Sequence, residues 1–255
     1  MSNPVTTTAL VLSRLPWSET SQIVTVITPD LGRIGAIARG AKRASGGVGP
    51  ALEPVTESQI VLTPSTSGTL AHIQSADVQD YFSATKRSLT RIALSLALCE
   101  LASRATAEGE ENRQAFNHLR AVLHGIDSST DRDAVNWLWW GVLRVIDDLG
   151  YGIQVAECAR CGSRTTPHRW FAPAEGGPVC GSCTGENLRV WAPETQETLG
   201  WLLSTEIDDL PSHRIPKRVN RDIRNLLEDY LQYHVPYFER LKSLDVLAEL
   251  SYAAS

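Results

Sequence analysis

The sequence predicts a multidomain α+β protein, in which a small β-barrel over residues 1–80 precedes an α-helical domain over residues 81–255. Three observations predict this architecture. Five short β-rich segments, separated by Gly, Pro and Asp, fill the first 80 residues. From Tyr81 onward, the apolar residues recur at helical spacing. Two close pairs of cysteines then interrupt the helical part, within an insertion at about residues 155–188.

The composition narrows the class of protein. The 255 residues are 42% hydrophobic and 21% charged, which excludes a wholly disordered or fibrous chain. The formal net charge is −5, so any nucleic-acid site must be a local basic patch on an acidic body. The longest apolar stretch, residues 92–102, contains Glu100 and is too short to span a bilayer, and the N-terminus lacks the features of a signal peptide. We therefore expect a cytoplasmic protein without a membrane segment.

The five predicted strands lie close together in the sequence. They cover residues 8–15, 20–28, 31–39, 55–63 and 70–80. Pro29, Asp30 and Gly32 give the second connection turn chemistry, in which glycine can adopt positive φ. Five short strands without a long helix are typical of a Greek-key barrel, and the OB-fold is the commonest five-stranded one. We therefore predict an OB-fold.

The helical domain contains three apolar stripes before the cysteines. The first stripe is Leu89, Ile92, Leu96 and Cys99; the second is Phe116, Leu119 and Leu123; the third is Val135, Leu138, Val142, Val145 and Leu149. Such spacing is that of amphipathic helices, and Gly150 fits a C-cap of the third. Residues 195–204 and 217–234 are again helical, and the last helix ends before Pro236.

The strongest chemical signal is a pair of C-x-x-C motifs with eighteen residues between them. The four cysteines are Cys158, Cys161, Cys180 and Cys183. This spacing matches a four-cysteine zinc ribbon, in which each motif points two sulfurs at one ion. Gly162 and Gly181 stand where the tight turns of such motifs favour a residue without Cβ. We predict one Zn²⁺, which is structural because four thiolates leave no open position for water.

Two other chemistries are alternatives to zinc for these four cysteines. An iron–sulfur cluster also accepts four cysteines. A redox C-x-x-C normally lies at a helix N-terminus after a strand, which this loop-rich segment fits poorly. Cys99 lies on an apolar stripe and is predicted to be a small buried hydrophobe. The run Trp137, Trp139 and Trp140 is likewise interpreted as core.

A second signal is a cationic cluster in the barrel, formed by Arg33, Arg39, Lys42 and Arg43. Charge on an exposed strand can simply protect the edge of a sheet from pairing. In an OB-like barrel, however, loops and central strands form the usual nucleic-acid surface, so we predict that these residues bind DNA. The segment resembles a Walker A loop, but Ala41 is inserted before the lysine and Arg43 replaces Ser/Thr, which excludes an ATP site.

The barrel is poor in rings on which bases could stack. Trp17, Tyr81 and Phe82 are the aromatic residues of the first 82. We therefore expect the surface to hold nucleic acid mainly through phosphate charge and to tolerate double strands.

A third signal is a basic face on the last predicted helix. Its residues are Lys217, Arg218, Arg221 and Arg224. Leu226 and Leu227 lie beside them. Such a face is either a solvated helix surface or a site for phosphate or for an acidic peptide with an apolar end.

Four N-terminal segments carry a resemblance to a known family. They are residues 9–12, residues 17–21 with Trp17-Ser-Glu-Thr-Ser, residues 28–33, and residues 38–43, which end in Arg39-Gly-Ala-Lys-Arg. These segments resemble the RecO family of bacterial recombination mediators. The last helix, residues 219–234, also resembles this family, and the likeness extends over essentially the whole chain, including the four-cysteine insertion that many members carry.

The resemblance implies a protein that is not an enzyme. It implies binding of single- and double-stranded DNA, annealing of complementary strands, and action with RecR to load RecA onto DNA coated by single-strand-binding protein, whose acidic C-terminal tail it contacts. A nucleoid-associated location follows from that role. Arg33, Arg39, Lys42 and Arg43 match the basic DNA-binding segment of the family, but the Gly-rich residues 44–49 replace further basic residues of many members.

Three other classes stay open at this point. An enzyme acting on nucleic acid would need a carboxylate cluster for a metal or a nucleophile, and none is evident in the sequence. A partner-binding zinc scaffold would bind no DNA directly. An RNA-binding protein could also combine an OB-fold with a zinc ribbon.

Overall fold

The computed structural model describes residues 3–41, 48–65, 70–164 and 169–246. The chain forms two compact units. One runs to Ser128 and takes in the chain from Lys242 onward, and the other is Ser129–Leu241. Lys42 and Arg43 lie outside the described residues. The predicted boundary at residue 80 stays a prediction.

The first unit begins with a closed barrel of five strands. They are β1 (Val5–Pro16), β2 (Gln22–Thr28), β3 (Gly32–Ala38), β4 (Glu57–Thr63) and β5 (Ala71–Asp80). Their order is β1-β2-β3-β5-β4, and β4 pairs with β1 to close the barrel. Neighbours are antiparallel except β3 and β5, which pair in parallel. The predicted OB-like barrel and all five strands are confirmed.

Side chains at every second position of the strands fill the interior of this barrel. The interior residues are Ala9, Val11, Val24, Val26, Ala36, Ala38, Ile60, Leu62 and Ile73. They are small or β-branched for the most part, which suits a narrow barrel whose strands are strongly twisted. The turn before β3 needs glycine, because Gly32 has φ +61° and a Cβ there would collide with the backbone of Glu110.

Helices follow the barrel in the first unit, to which the helical residues 242–246 also belong. The helices after the barrel are α1 (Ser83–Lys86), α2 (Leu89–Ala105) and α3 (Arg113–Ser128). The stripe predicted for α2 is wrong, because Leu89 is 55% exposed and Ile92 and Leu96 are only half-buried. Helix α2 is apolar on most sides and is buried on most sides, so no single stripe marks its packed face.

Cys99 has the predicted role of a buried apolar residue. Its side chain is almost fully enclosed, and burial raises the pKa of the thiol to about 12. The thiol is therefore protonated and unreactive at neutral pH.

The second unit combines three helices with a small sheet. Its elements are α4 (Ala134–Asp148), β6 (Trp170–Ala172), β7 (Gly177–Val179), β8 (Arg189–Val190), α5 (Pro193–Ser204) and α6 (Lys217–His234). Gly150 ends α4 with φ +81°, as predicted for a C-cap. Trp139 and Trp140 are buried, and the Trp139 indole N–H donates to Asn220 Oδ1 on α6 at 2.6 Å. The interpretation as core is confirmed for these two tryptophans, whereas Trp137 is half-buried.

Within the part of the chain that the structure describes, no helix combines the length and the apolar surface that a bilayer crossing demands.

Candidate metal centre and candidate nucleic-acid interface

The two C-x-x-C motifs meet beside a three-stranded sheet whose order is β7-β6-β8. The first motif docks on β7, because the Ala159 N–H donates to the Pro178 carbonyl at 2.7 Å. Cys180 directly follows β7, and its N–H donates to Cys158 Sγ at 3.4 Å. The sheet therefore holds the second motif against the first, although eighteen residues separate them in the sequence.

The geometry of the sulfurs fits one tetrahedral ion. The Sγ atoms of Cys158, Cys161, Cys180 and Cys183 all lie within 4.8 Å of one another. The Cys161 and Cys180 Sγ atoms are 3.7 Å apart. A tetrahedron with Zn–S bonds of about 2.3 Å has sulfur–sulfur edges of about 3.8 Å. A disulfide would need about 2.05 Å, so this pair is not bonded. The four residues thus suit Zn²⁺ in number, type and spacing.

The electrostatics of the cluster also favour a cation. Burial raises the pKa of the Cys158 thiol, but backbone N–H donors, foremost that of Cys180, outweigh burial and lower this pKa to about 6. Hydrogen bonds with the Cys161 and Cys180 side chains raise the pKa of Cys183 to about 12. Four thiols this close cannot all ionise by themselves, because each thiolate raises the pKa of its neighbours. A bound Zn²⁺ would compensate their charge and hold all four as thiolates.

Arg160 joins the two motifs, although no pattern in the sequence singles it out. Its Nε donates to Glu175 Oε1 at 2.9 Å, and a terminal nitrogen donates to the Cys183 carbonyl at 2.7 Å. The prediction for Gly162 is confirmed, because its φ is +70°. The prediction for Gly181 is wrong: its φ is not left-handed, and a Cβ there would contact no atom. The second motif turns in a 3-10 helix, Gly181–Cys183, which other residues could adopt.

The basic residues of the barrel have different surroundings. Arg33 is half-buried, and its Nε donates to the Thr106 carbonyl at 3.0 Å. The Gly109 N–H in turn donates to the Arg33 carbonyl at 2.9 Å, so Arg33 anchors the segment between α2 and α3. Arg39 directly follows β3 and is exposed. No carboxylate among the described residues pairs with Arg39, which leaves its guanidinium open to a phosphate.

The basic residues of α6 are also unequal. Arg224 is 20% exposed, binds Glu228 at 3.1 Å, and donates to the Leu241 carbonyl at 3.4 Å. Arg218 lies 3.7 Å from Asp222 and 4.0 Å from Glu194. Lys217 and Arg221 are exposed, and within the described ranges neither has a carboxylate partner. The charge that is open to a ligand is therefore concentrated on these two residues.

The apolar residues expected to assist α6 do not face solvent. Leu226 and Leu227 are buried in the core of the second unit. The groove that reaches Leu226 is also lined by the carboxylates of Asp222, Glu228 and Asp229, each of which pairs with an arginine. Any acidic ligand of α6 is therefore held by charge rather than by these leucines.

Comparisons with known proteins match both parts of the chain. The family model described as "Recombination protein O N terminal" matches residues 1–82, and "Recombination protein O C terminal" matches residues 86–245. The chain belongs to the recombination protein O family. The predicted resemblance to this family is thereby confirmed.

Three relatives that are similar to this chain are each called "DNA repair protein RecO". The protein of Roseiflexus sp. is 30% identical over 233 residues, covering 89% of this chain and 80% of the relative. That of Anaeromyxobacter dehalogenans is 30% identical over 234 residues, covering 89% and 90%. That of Exiguobacterium sp. is 25% identical over 243 residues, covering 95% of each chain. The likeness to recombination protein O thus includes barrel, helices and cysteine region together.

Proposed function

We propose that this chain is a DNA-binding recombination mediator. It anneals complementary strands and, with RecR, helps load RecA onto single-stranded DNA coated by single-strand-binding protein. The observation that carries the proposal is an exposed arginine, Arg39, without a carboxylate partner among the described residues, at the end of a strand in a closed OB-like barrel. Family membership and the name of the relatives, DNA repair protein RecO, support the same function.

The barrel binds DNA through phosphate charge. A chain with net charge −5 repels DNA as a whole, so attraction depends on a local patch. Arg39 begins that patch, and Lys42 and Arg43 follow it in the sequence. Arg33 contributes less to binding, because part of its guanidinium already holds the Thr106 carbonyl. Phosphate contacts of this kind position DNA without reading its sequence, which suits a protein that must anneal any pair of complementary strands.

The four cysteines bind one structural Zn²⁺ and perform no catalysis. The ribbon has a small apolar core in which Cys158, Cys180, Ala172 and Val179 are buried. So few apolar side chains cannot offset the ordering of the insertion, whereas a structural zinc contributes about 10–16 kcal/mol apparent in small sites. Zinc therefore supplies the folding energy of the insertion, and the proposed protein acts by binding rather than as an enzyme.

The acidic C-terminal tail of single-strand-binding protein is the proposed partner of α6. Lys217 and Arg221 supply the open charge, and Arg218 adds a cation that its carboxylate neighbours partly neutralise. Arg224 takes no direct part, because Glu228 and the Leu241 carbonyl already engage it. A tail held in this way should be released as salt rises, since exposed charge pairs are screened. The protein would act in the cytoplasm, on the nucleoid.

Fluorescence anisotropy tests the proposal directly. The chain is titrated into labelled single- and double-stranded oligonucleotides at two salt concentrations, and annealing of complementary strands is followed with and without RecR. We expect both oligonucleotides to bind, with affinity falling as salt rises, and the chain to accelerate annealing. A chain that holds zinc but binds neither oligonucleotide at low salt would be a partner-binding scaffold. Preference for RNA over DNA would indicate an RNA-binding protein.

A further inference from the structure

The connection between β1 and β2 carries an exposed indole. The side chain of Trp17 is 63% exposed. The other aromatic rings of the first 82 residues are engaged: Phe82 is fully buried, and Tyr81 donates to Glu53 with the Lys86 ammonium 3.5 Å from its ring centroid. Among the described residues of the barrel, Trp17 is therefore the most exposed aromatic ring, since Tyr81 is 36% exposed and already engaged.

Hydrogen bonds hold the tip of this hairpin in a compact turn. The backbone N–H of Trp17 donates to the Ser21 carbonyl at 3.1 Å, and the backbone N–H of Ser21 donates to Ser18 Oγ at 3.1 Å. The backbone that carries the indole is thus fixed before any ligand arrives. A ring on such a support loses little conformational entropy when it binds, so more of its contact energy appears as affinity.

The strand register brings a cation to the same end of the barrel. Pro16 of β1 pairs with Gln22 of β2, and Gln22 pairs with Ala38 of β3, so these three residues lie side by side. Trp17 directly follows Pro16, and Arg39 directly follows Ala38. Because β1 and β3 run in the same direction, both residues leave the barrel at one end. Two strand spacings separate their backbones, which is about 10 Å.

We propose that Trp17 stacks on an unpaired base of single-stranded DNA while Arg39 binds a phosphate of the same strand. The separation of about 10 Å lets one strand place a base on Trp17 and present a nearby phosphate to Arg39. A ring and a nearby cation match the two parts of a nucleotide, and stacking tolerates every base because each has a π-face. The inference rests on the proposed DNA binding and adds a preference for single strands, because the bases of a duplex are already stacked.

This inference changes the expectation for the barrel surface. With few aromatic rings in the sequence, the surface is expected to hold DNA mainly through phosphate charge and to tolerate double strands. The exposed ring of Trp17 makes the affinity for single strands higher than that for double strands. Arg39 can bind a phosphate of either form, whereas Trp17 can stack only on an unpaired base. Glu19 lies exposed on the same turn, where its negative charge opposes phosphate binding.

The test compares Trp17→Ala with a matched control, Leu15→Ala. Leu15 is 64% exposed on the same hairpin and has no π-face. Both variants should keep the fold, because both side chains are largely outside the core. Their dissociation constants for single- and double-stranded oligonucleotides are measured by anisotropy at two salt concentrations. Trp17→Phe is the third variant, because it retains a ring.

The expected result is specific to the ring. Trp17→Ala should weaken single-strand binding about tenfold and duplex binding less than about twofold, with an unchanged salt slope because no phosphate contact is lost. Trp17→Phe should recover most of the loss, and Leu15→Ala should bind as the unaltered chain does. Equal loss for both strand forms, or no loss at all while the unaltered chain binds DNA, would overturn the inference and leave the proposed function intact. Failure of the unaltered chain to bind DNA would instead overturn the proposed function.

Discussion

Arg33 offers a sharp test, because the structure gives it a different role from Arg39. In Arg33→Ala, the charged hydrogen bond from Nε to the Thr106 carbonyl is lost. Thr106 is only 6% exposed, so water replaces the lost donor poorly. A hydrogen bond from a charged group contributes about 1.5–3 kcal/mol, and half-burial of Arg33 places the expected destabilisation near the middle, at about 2 kcal/mol.

Urea unfolding of both arginine variants checks this expectation. Arg39→Ala is the matched control, because Arg39 is exposed and a surface substitution changes stability by about 0.5 kcal/mol at most. The oligonucleotide affinities should show the opposite order, with the larger loss in Arg39→Ala. If Arg33→Ala unfolds at the same urea concentration as Arg39→Ala, the anchoring role of Arg33 is wrong.

Two further predictions concern the second unit. Cys161→Ser should lose the single bound zinc and loosen the insertion, because the remaining three thiolates cannot close the tetrahedron. Metal analysis and proteolysis measure the two effects. Unaltered protein that contains disulfides and no zinc would contradict the metal centre. Arg221→Glu should weaken the binding of a peptide that copies the tail of single-strand-binding protein by at least about tenfold, or about 1.4 kcal/mol. Asn225→Asp, on the exposed side of α6, is the control with a smaller change of charge. Loss of oligonucleotide binding with retention of the peptide would make this face a DNA site.

Local patterns in the sequence were sufficient for the barrel. The strands β1 to β5 are short segments rich in β-branched and apolar residues and are separated by turn residues, and this information lies within each segment. The cysteine cluster was predictable for a similar reason, because the C-x-x-C spacing itself determines how two sulfurs reach one ion. The position of Gly150 at the end of α4 also depends on local backbone conformation alone.

Contacts between distant residues could not be predicted in this way. The sequence places Arg33 in a cationic cluster, whereas its hydrogen bond to the Thr106 carbonyl, 73 residues away, is a tertiary contact that no local pattern indicates. Arg224 was grouped with the basic face of α6, although it binds the Leu241 carbonyl beyond the helix. The buried side of α2 was also missed, because an apolar helix that is packed on most sides has no periodic stripe. In each case, the tertiary partner rather than the local pattern decides the role.

The salt dependence of single-strand binding tests DNA binding by the barrel most directly. For each phosphate neutralised, the plot of log affinity against log salt concentration should have a slope of about −0.7. Arg39→Ala combined with Lys42→Ala removes two cations from the proposed patch and should make the slope shallower by about 1.4. An exposed arginine of the second unit, Arg132, provides the control, and Arg132→Ala should leave the slope unchanged. A double variant with the slope of the unaltered chain would contradict DNA binding by the barrel.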